Sequence, residues 1–88
     1  MNVRRIYLDN AATSWPKPEA VYDAVDAYQR ENGATAGRGA YSEADWVGQR
    51  VLQARQQLVQ LIGADDPRRV IFTANGTESL NLAIHGTL

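Results

Sequence analysis

The chain has 88 residues, no cysteine and a formal charge of −1, with nine basic against ten acidic side chains. At this length it holds at most one domain. A compact chain of this mass exposes about 5,100 Å², so its core is modest. Disulfides, thiolate metal sites and a cysteine nucleophile are excluded, and so is the basic field that would draw nucleic acid or an anionic membrane surface.

The N-terminal Arg4-Arg5 pair is followed by only three apolar residues before Asp9. That is too short for a secretion signal, and the expected setting is the cytoplasm. No apolar window is long enough to cross a membrane. Asn75-Gly76-Thr77 forms a glycosylation sequon, discounted in a chain expected not to be secreted.

In chain order, Ile6-Tyr7-Leu8 is a short strand candidate, and Asn10 to Pro18 is a loop held extended by its prolines. Pro18 suits the first turn of a helix running to about Arg30, with Val21, Ala24, Val25 and Tyr28 on one apolar face. Asn32 to Ala40 is a glycine-rich loop. A helix of about 20 residues follows, with Ser42 as expected N-cap and Asp45 completing a capping box. Its buried face is expected at Val47, Val51, Ala54, Leu58, Leu61 and Ile62, and Gly63 is expected to stop it. Asp65-Asp66-Pro67 reads as a turn, Val70 to Thr73 as a buried strand, and Thr77 to about His85 as a third helix.

A strand followed by a helix is the first half of a parallel βαβ unit, and the returning strand is missing. The expectation is therefore an incomplete α/β segment of something longer.

Chemistry is best placed at Thr73 to Ser79, where a strand ends, Gly76 permits a close backbone approach and a helix begins. The first N–H groups of a helix lack partners within it and sit at the positive end of its dipole, which suits a phosphate. The same residues also make an ordinary cap, with Asn75 or Thr77 capping and Glu78 favouring the dipole. Gly37-Arg38-Gly39 follows a helix rather than a strand, and no Gly-Lys-Ser/Thr occurs, so neither nucleotide motif is met. Arg38 could grip a carboxylate or phosphate, or be a solvated loop arginine. Lys17 sits between prolines with nothing to desolvate it, and His85 suits a helix end. Asp65 and Asp66 lack the further oxygen ligands of a metal site.

Tyr7-Leu8-Asp9-Asn10-Ala11-Ala12-Thr13, Trp15-Pro16-Lys17-Pro18, Gly37-Arg38-Gly39-Ala40-Tyr41, Val70-Ile71-Phe72-Thr73 and Gly76 to Ala83, in that order, resemble the N-terminal part of a cysteine desulfurase. That group belongs to the class-V aminotransferases among fold-type-I pyridoxal phosphate (PLP) enzymes. The resemblance covers essentially all 88 residues, but only about the first quarter of a family member. It implies one N-terminal segment of such a domain over residues 1–88 and a PLP phosphate held at Gly76 and Thr77. It also implies a substrate pocket touched by Asn10, Ala11, Ala12 and Arg38, an L-cysteine-like substrate and a homodimeric parent. Where the family usually carries a histidine, this chain has Tyr41. The Schiff-base lysine and persulfide-forming cysteine of the family lie beyond residue 88 in relatives, so the segment is expected to be non-catalytic alone. Two other readings stand beside it: a stand-alone helical interaction module, and a segment of a selenocysteine lyase or another class-V aminotransferase-like enzyme.

Overall fold

The computed structural model describes residues 3–88. The order is α1 (Glu19–Ala27), a π-helical turn (Tyr28–Asn32), α2 (Ser42–Ile62), a 3-10 turn (Pro67–Arg69) and α3 (Gly76–Thr87). The chain divides into two units, Met1–Ala34 and Thr35–Leu88.

In the first unit, residues 9–17 fold into a loop tied by its own hydrogen bonds. Ala12 N–H donates to the Asp9 carbonyl at 3.0 Å, and Trp15 N–H donates to Asn10 Oδ1 at 3.1 Å. The Tyr7 hydroxyl lies 2.7 Å from the Thr13 carbonyl and 3.0 Å from that of Asp9. Pro18 caps α1 with an extended backbone, at φ −55° and ψ 142°. The helix begins one residue later, as the proline ring allows. Its expected apolar face is not covered within the chain, because Val21 and Val25 are exposed. The π-helical turn ends at Gly33, which has φ +53°, and the Tyr28 hydroxyl donates to the Ala34 carbonyl at 2.6 Å.

In the second unit α2 has 21 residues, about 32 Å of helix. Its N-cap is Tyr41, with no side-chain cap. Ser42 is the first helical residue, and its hydroxyl is spent on the Glu43 carboxylate at 2.9 Å. This corrects the expected capping box. The expected stop at Gly63 forms as a Schellman motif. Ala64 N–H reaches the Val59 carbonyl at 2.9 Å, Gly63 N–H reaches that of Gln60 at 3.4 Å, and Gly63 takes φ +73°. The buried face also needs correction. Ala44, Val47 and Val59 are buried, whereas Leu61 is 80% exposed. Val59 lies 12 residues beyond Val47, about a third of a turn round the helix, so the buried positions do not form one continuous stripe and the expected face stays exposed at Leu61 and Ile62.

No strand forms among the described residues. Segments 6–8 and 70–73 are unpaired, although Val70 keeps an extended backbone at φ −94° and ψ 120°. A strand is defined by a ladder to a neighbour, and neither segment has one. Residues 70–73 are held instead by side chains: the Arg55 guanidinium lies over the Phe72 ring, 5.4 Å from its centroid.

The buried core is small. Among the described residues the buried apolar side chains are Ala34 in the first unit and Ala44, Val47 and Val59 in the second, and the accessible surface is 8000 Å². Even two separately compact units of these lengths would expose only about 6,100 Å². The excess is apolar side chains at the surface, among them Leu61, Ile62, Ile71, Phe72, Leu80 and Ile84.

Candidate functional site

The turn into α3 is built from short-range bonds. Asn75 is the N-cap, with an extended backbone, and its Oδ1 accepts the Glu78 N–H at 2.8 Å. The Glu78 carboxylate reaches back to the Ala74 N–H at 3.1 Å. This is a reciprocal capping arrangement displaced by one residue from the usual box. It settles the choice between Asn75 and Thr77 as cap in favour of Asn75. The Thr73 hydroxyl donates to the Asn75 carbonyl at 2.9 Å and also meets the Ser79 hydroxyl. Ser79 N–H makes the first helical bond, to the Asn75 carbonyl at 3.2 Å.

With these partners assigned, the N–H groups of Gly76 and Thr77 and the Thr77 hydroxyl take no intramolecular partner among the described residues. A Cβ added at Gly76 would meet nothing within 4 Å, so internal packing does not demand a glycine here. Glu78 lies in the first turn and His85 in the last, the charge order that a helix dipole favours. The turn can therefore accept an anion on two backbone donors and one hydroxyl.

The other expected site residues are placed less favourably. Asn10, Ala11 and Ala12 belong to the first unit. The Asn10 carboxamide oxygen and the Ala12 N–H are both consumed by the loop itself. Arg38 follows Gly37, whose φ is +72°, and makes no hydrogen bond or ion pair among the described residues. Nothing of that kind joins it to Gly76 or Thr77. A Cβ at Gly39 would lie 2.3 Å from the ring of Tyr41, so that exposed ring would have to shift.

Lys17 differs from its expected solvated setting. It is half-buried, its Nζ donates to the Ser14 carbonyl at 2.8 Å, and the Thr13 hydroxyl lies at 3.4 Å. Sequence spacing gave no sign of this, because the loop curls back on itself. Among the described residues no group of three or more His, Asp or Glu side chains could hold a metal ion. No helix there is long and apolar enough to cross a membrane. Asp66, capping the 3-10 turn, is held below the ordinary carboxylate value by the Arg68 side chain and then by the Arg68 N–H.

The family model for class-V aminotransferases matches residues 6–88. The chain belongs to the class-V aminotransferase family. Among its relatives, a probable cysteine desulfurase of Vibrio cholerae is 39% identical over 77 residues, covering 88% of this chain and 19% of the relative. A probable cysteine desulfurase of Streptomyces coelicolor is 42% identical over 77 residues, covering 88% of this chain and 18% of the relative. The cysteine desulfurase of Rattus norvegicus is 42% identical over 89 residues, covering 96% and 18%. The chain thus spans about a fifth of the length of the curated relatives it matches. No solved structure matches it.

Proposed function

We propose that this chain is the N-terminal segment of a PLP-dependent cysteine desulfurase domain, with residues 1–88 supplying the cofactor-phosphate turn and part of the pocket wall. The observation that carries the reading is the start of α3. Its own cap and capping carboxylate satisfy the surrounding donors and leave Gly76 N–H, Thr77 N–H and the Thr77 hydroxyl unspent. A phosphate dianion needs such donors, and open space beside Gly76 admits it. The family match over residues 6–88 and the names of the relatives support the same assignment.

Under this reading Gly76 and Thr77 hold the phosphate, and Asn75 and Glu78 hold the turn in shape. Asn10, Ala11 and Ala12 line the pocket for an L-cysteine-like substrate, with Arg38 free to meet its carboxylate. Bound PLP supplies the electron sink for bond breaking at the amino acid. The lysine that bonds the cofactor and the cysteine that takes the sulfur come from outside this segment, since its only lysine, Lys17, is tied into its own loop and it has no cysteine. The complete domain is α/β, with segments 6–8 and 70–73 recruited as strands once neighbours are present, and the enzyme is a homodimer. The excess apolar surface favours a segment over a self-sufficient helical module.

The test is PLP titration of the apo-enzyme that carries this sequence. Thr77→Ala removes one hydrogen bond to a charged group and is expected to weaken PLP binding by about 1–2 kcal/mol. Unchanged affinity would overturn the phosphate assignment.

A further inference from the structure

A second candidate site lies in the first unit, beside the Asn10–Ala12 loop but lined by none of its three residues. A cavity of about 500 Å³ is lined by Arg5, Ile6, Tyr7, Thr13, Trp15 and Lys17, within the size range of small-molecule sites. Two of its walls are aromatic: the Tyr7 and Trp15 rings stand 5.4 Å apart and inclined at 52°, forming a corner. The corner is held in place. The Tyr7 hydroxyl is engaged by the Asp9 and Thr13 carbonyls, Trp15 N–H by Asn10, and Lys17 N–H by the Tyr22 hydroxyl at 3.0 Å.

The charge of the cavity is one-sided. Arg5 and Lys17 line it and no carboxylate side chain does, although the whole chain is net negative. The ion pairs among the described residues, Arg30–Asp26 and Arg68–Asp66, lie elsewhere. Arg5 has no hydrogen-bond partner among the described residues, and Lys17 has two, leaving one ammonium donor unspent. A cationic ligand would meet like charge, and a bare anion would leave the aromatic corner wet. We propose that this cavity binds a small aromatic carboxylate, its ring in the Tyr7–Trp15 corner and its carboxylate between Arg5 and Lys17.

The test uses phenylacetate as probe and reads the Trp15 indole N–H resonance of the apo-enzyme that carries this sequence, identified by its loss in Trp15→Phe. Phenylacetate is expected to shift it saturably. Neutral phenylacetamide and ring-free acetate are expected to bind at least about tenfold more weakly, the loss of a charge-assisted contact or of the apolar contact. Arg5→Gln, which disturbs no intramolecular bond among the described residues, is expected to weaken phenylacetate several-fold, and Lys17→Gln to do the same. The proposal is overturned if phenylacetate gives no saturable shift, if phenylacetamide binds as tightly, or if the Arg5→Gln chain, with unchanged circular dichroism, binds phenylacetate undiminished.

Discussion

The start of α3 separates two roles that adjacent residues play, and substitution can tell them apart. Every residue of α3 is exposed, so its helicity rests mainly on local terms, and a 12-residue helix is marginal on those alone. Asn75→Ala removes the 2.8 Å bond to Glu78 N–H. The usual loss for such a cap is about 1 kcal/mol, a factor of about 5 in the helix–coil equilibrium. If α3 is half formed at the outset, its population falls to about 16% on this cap energy. Thr77→Ala removes a hydroxyl that takes no partner among the described residues and introduces the strongest helix former, so α3 should hold or gain slightly. Carbon-13 Cα shifts of residues 76–87 read both changes. Equal loss in the two variants would refute the division into a residue that holds the turn and a residue that does not. An unchanged α3 in Asn75→Ala would refute the cap.

Other outcomes follow from geometry already given. Gly63→Ala forces an L side chain to φ +73° with no steric contact to blame, so the end of α2 should lose about 1–2 kcal/mol, seen as faster amide exchange at Gly63 and Ala64. Gly39→Ala places a Cβ within 2.3 Å of the Tyr41 ring, and should move the Tyr41 ring resonances while leaving those of α3 in place. Asp66 has a depressed carboxylate titration. Its contribution to the 3-10 turn is therefore complete above the ordinary value of 3.8 and is lost as pH falls through the lower folded value. A carbon-13 titration should find Asp66 below the ordinary carboxylate value, and Arg68→Ala should move it back toward that value.

Features governed by a few neighbouring residues were legible in the sequence. Gly63 ends α2 because only a left-handed residue closes that motif, and a glycine after an apolar run announces it. The α3 turn was legible in part: Asn75, Thr77 and Glu78 announce a cap, but only the bond from Glu78 N–H to Asn75 Oδ1 distinguishes Asn75 from Thr77. Ser42 misled because its hydroxyl had two short-range choices, the backbone of the first turn or Glu43, and it took the side chain. The strands were illegible in a different sense. Val70 to Phe72 have the composition of a strand, but a ladder belongs to two segments and this one has no neighbour. The Lys17 environment depends on a loop whose path is set by Tyr7 and Asn10, residues up to ten positions away, and no periodicity reports that.

The bonds that shape the α3 turn span between two and six residues. Contacts that local close on the timescale of a single loop, about 10–100 ns, and a helix of this size relaxes in about a microsecond. The turn can therefore take shape while a nascent chain is still growing, without a contact from any distant segment. It also follows that the turn is portable. The stretch from Thr73 to Ser79 holds its bonding partners within itself, so transplanted ahead of an unrelated helix it should carry its free N–H groups with it.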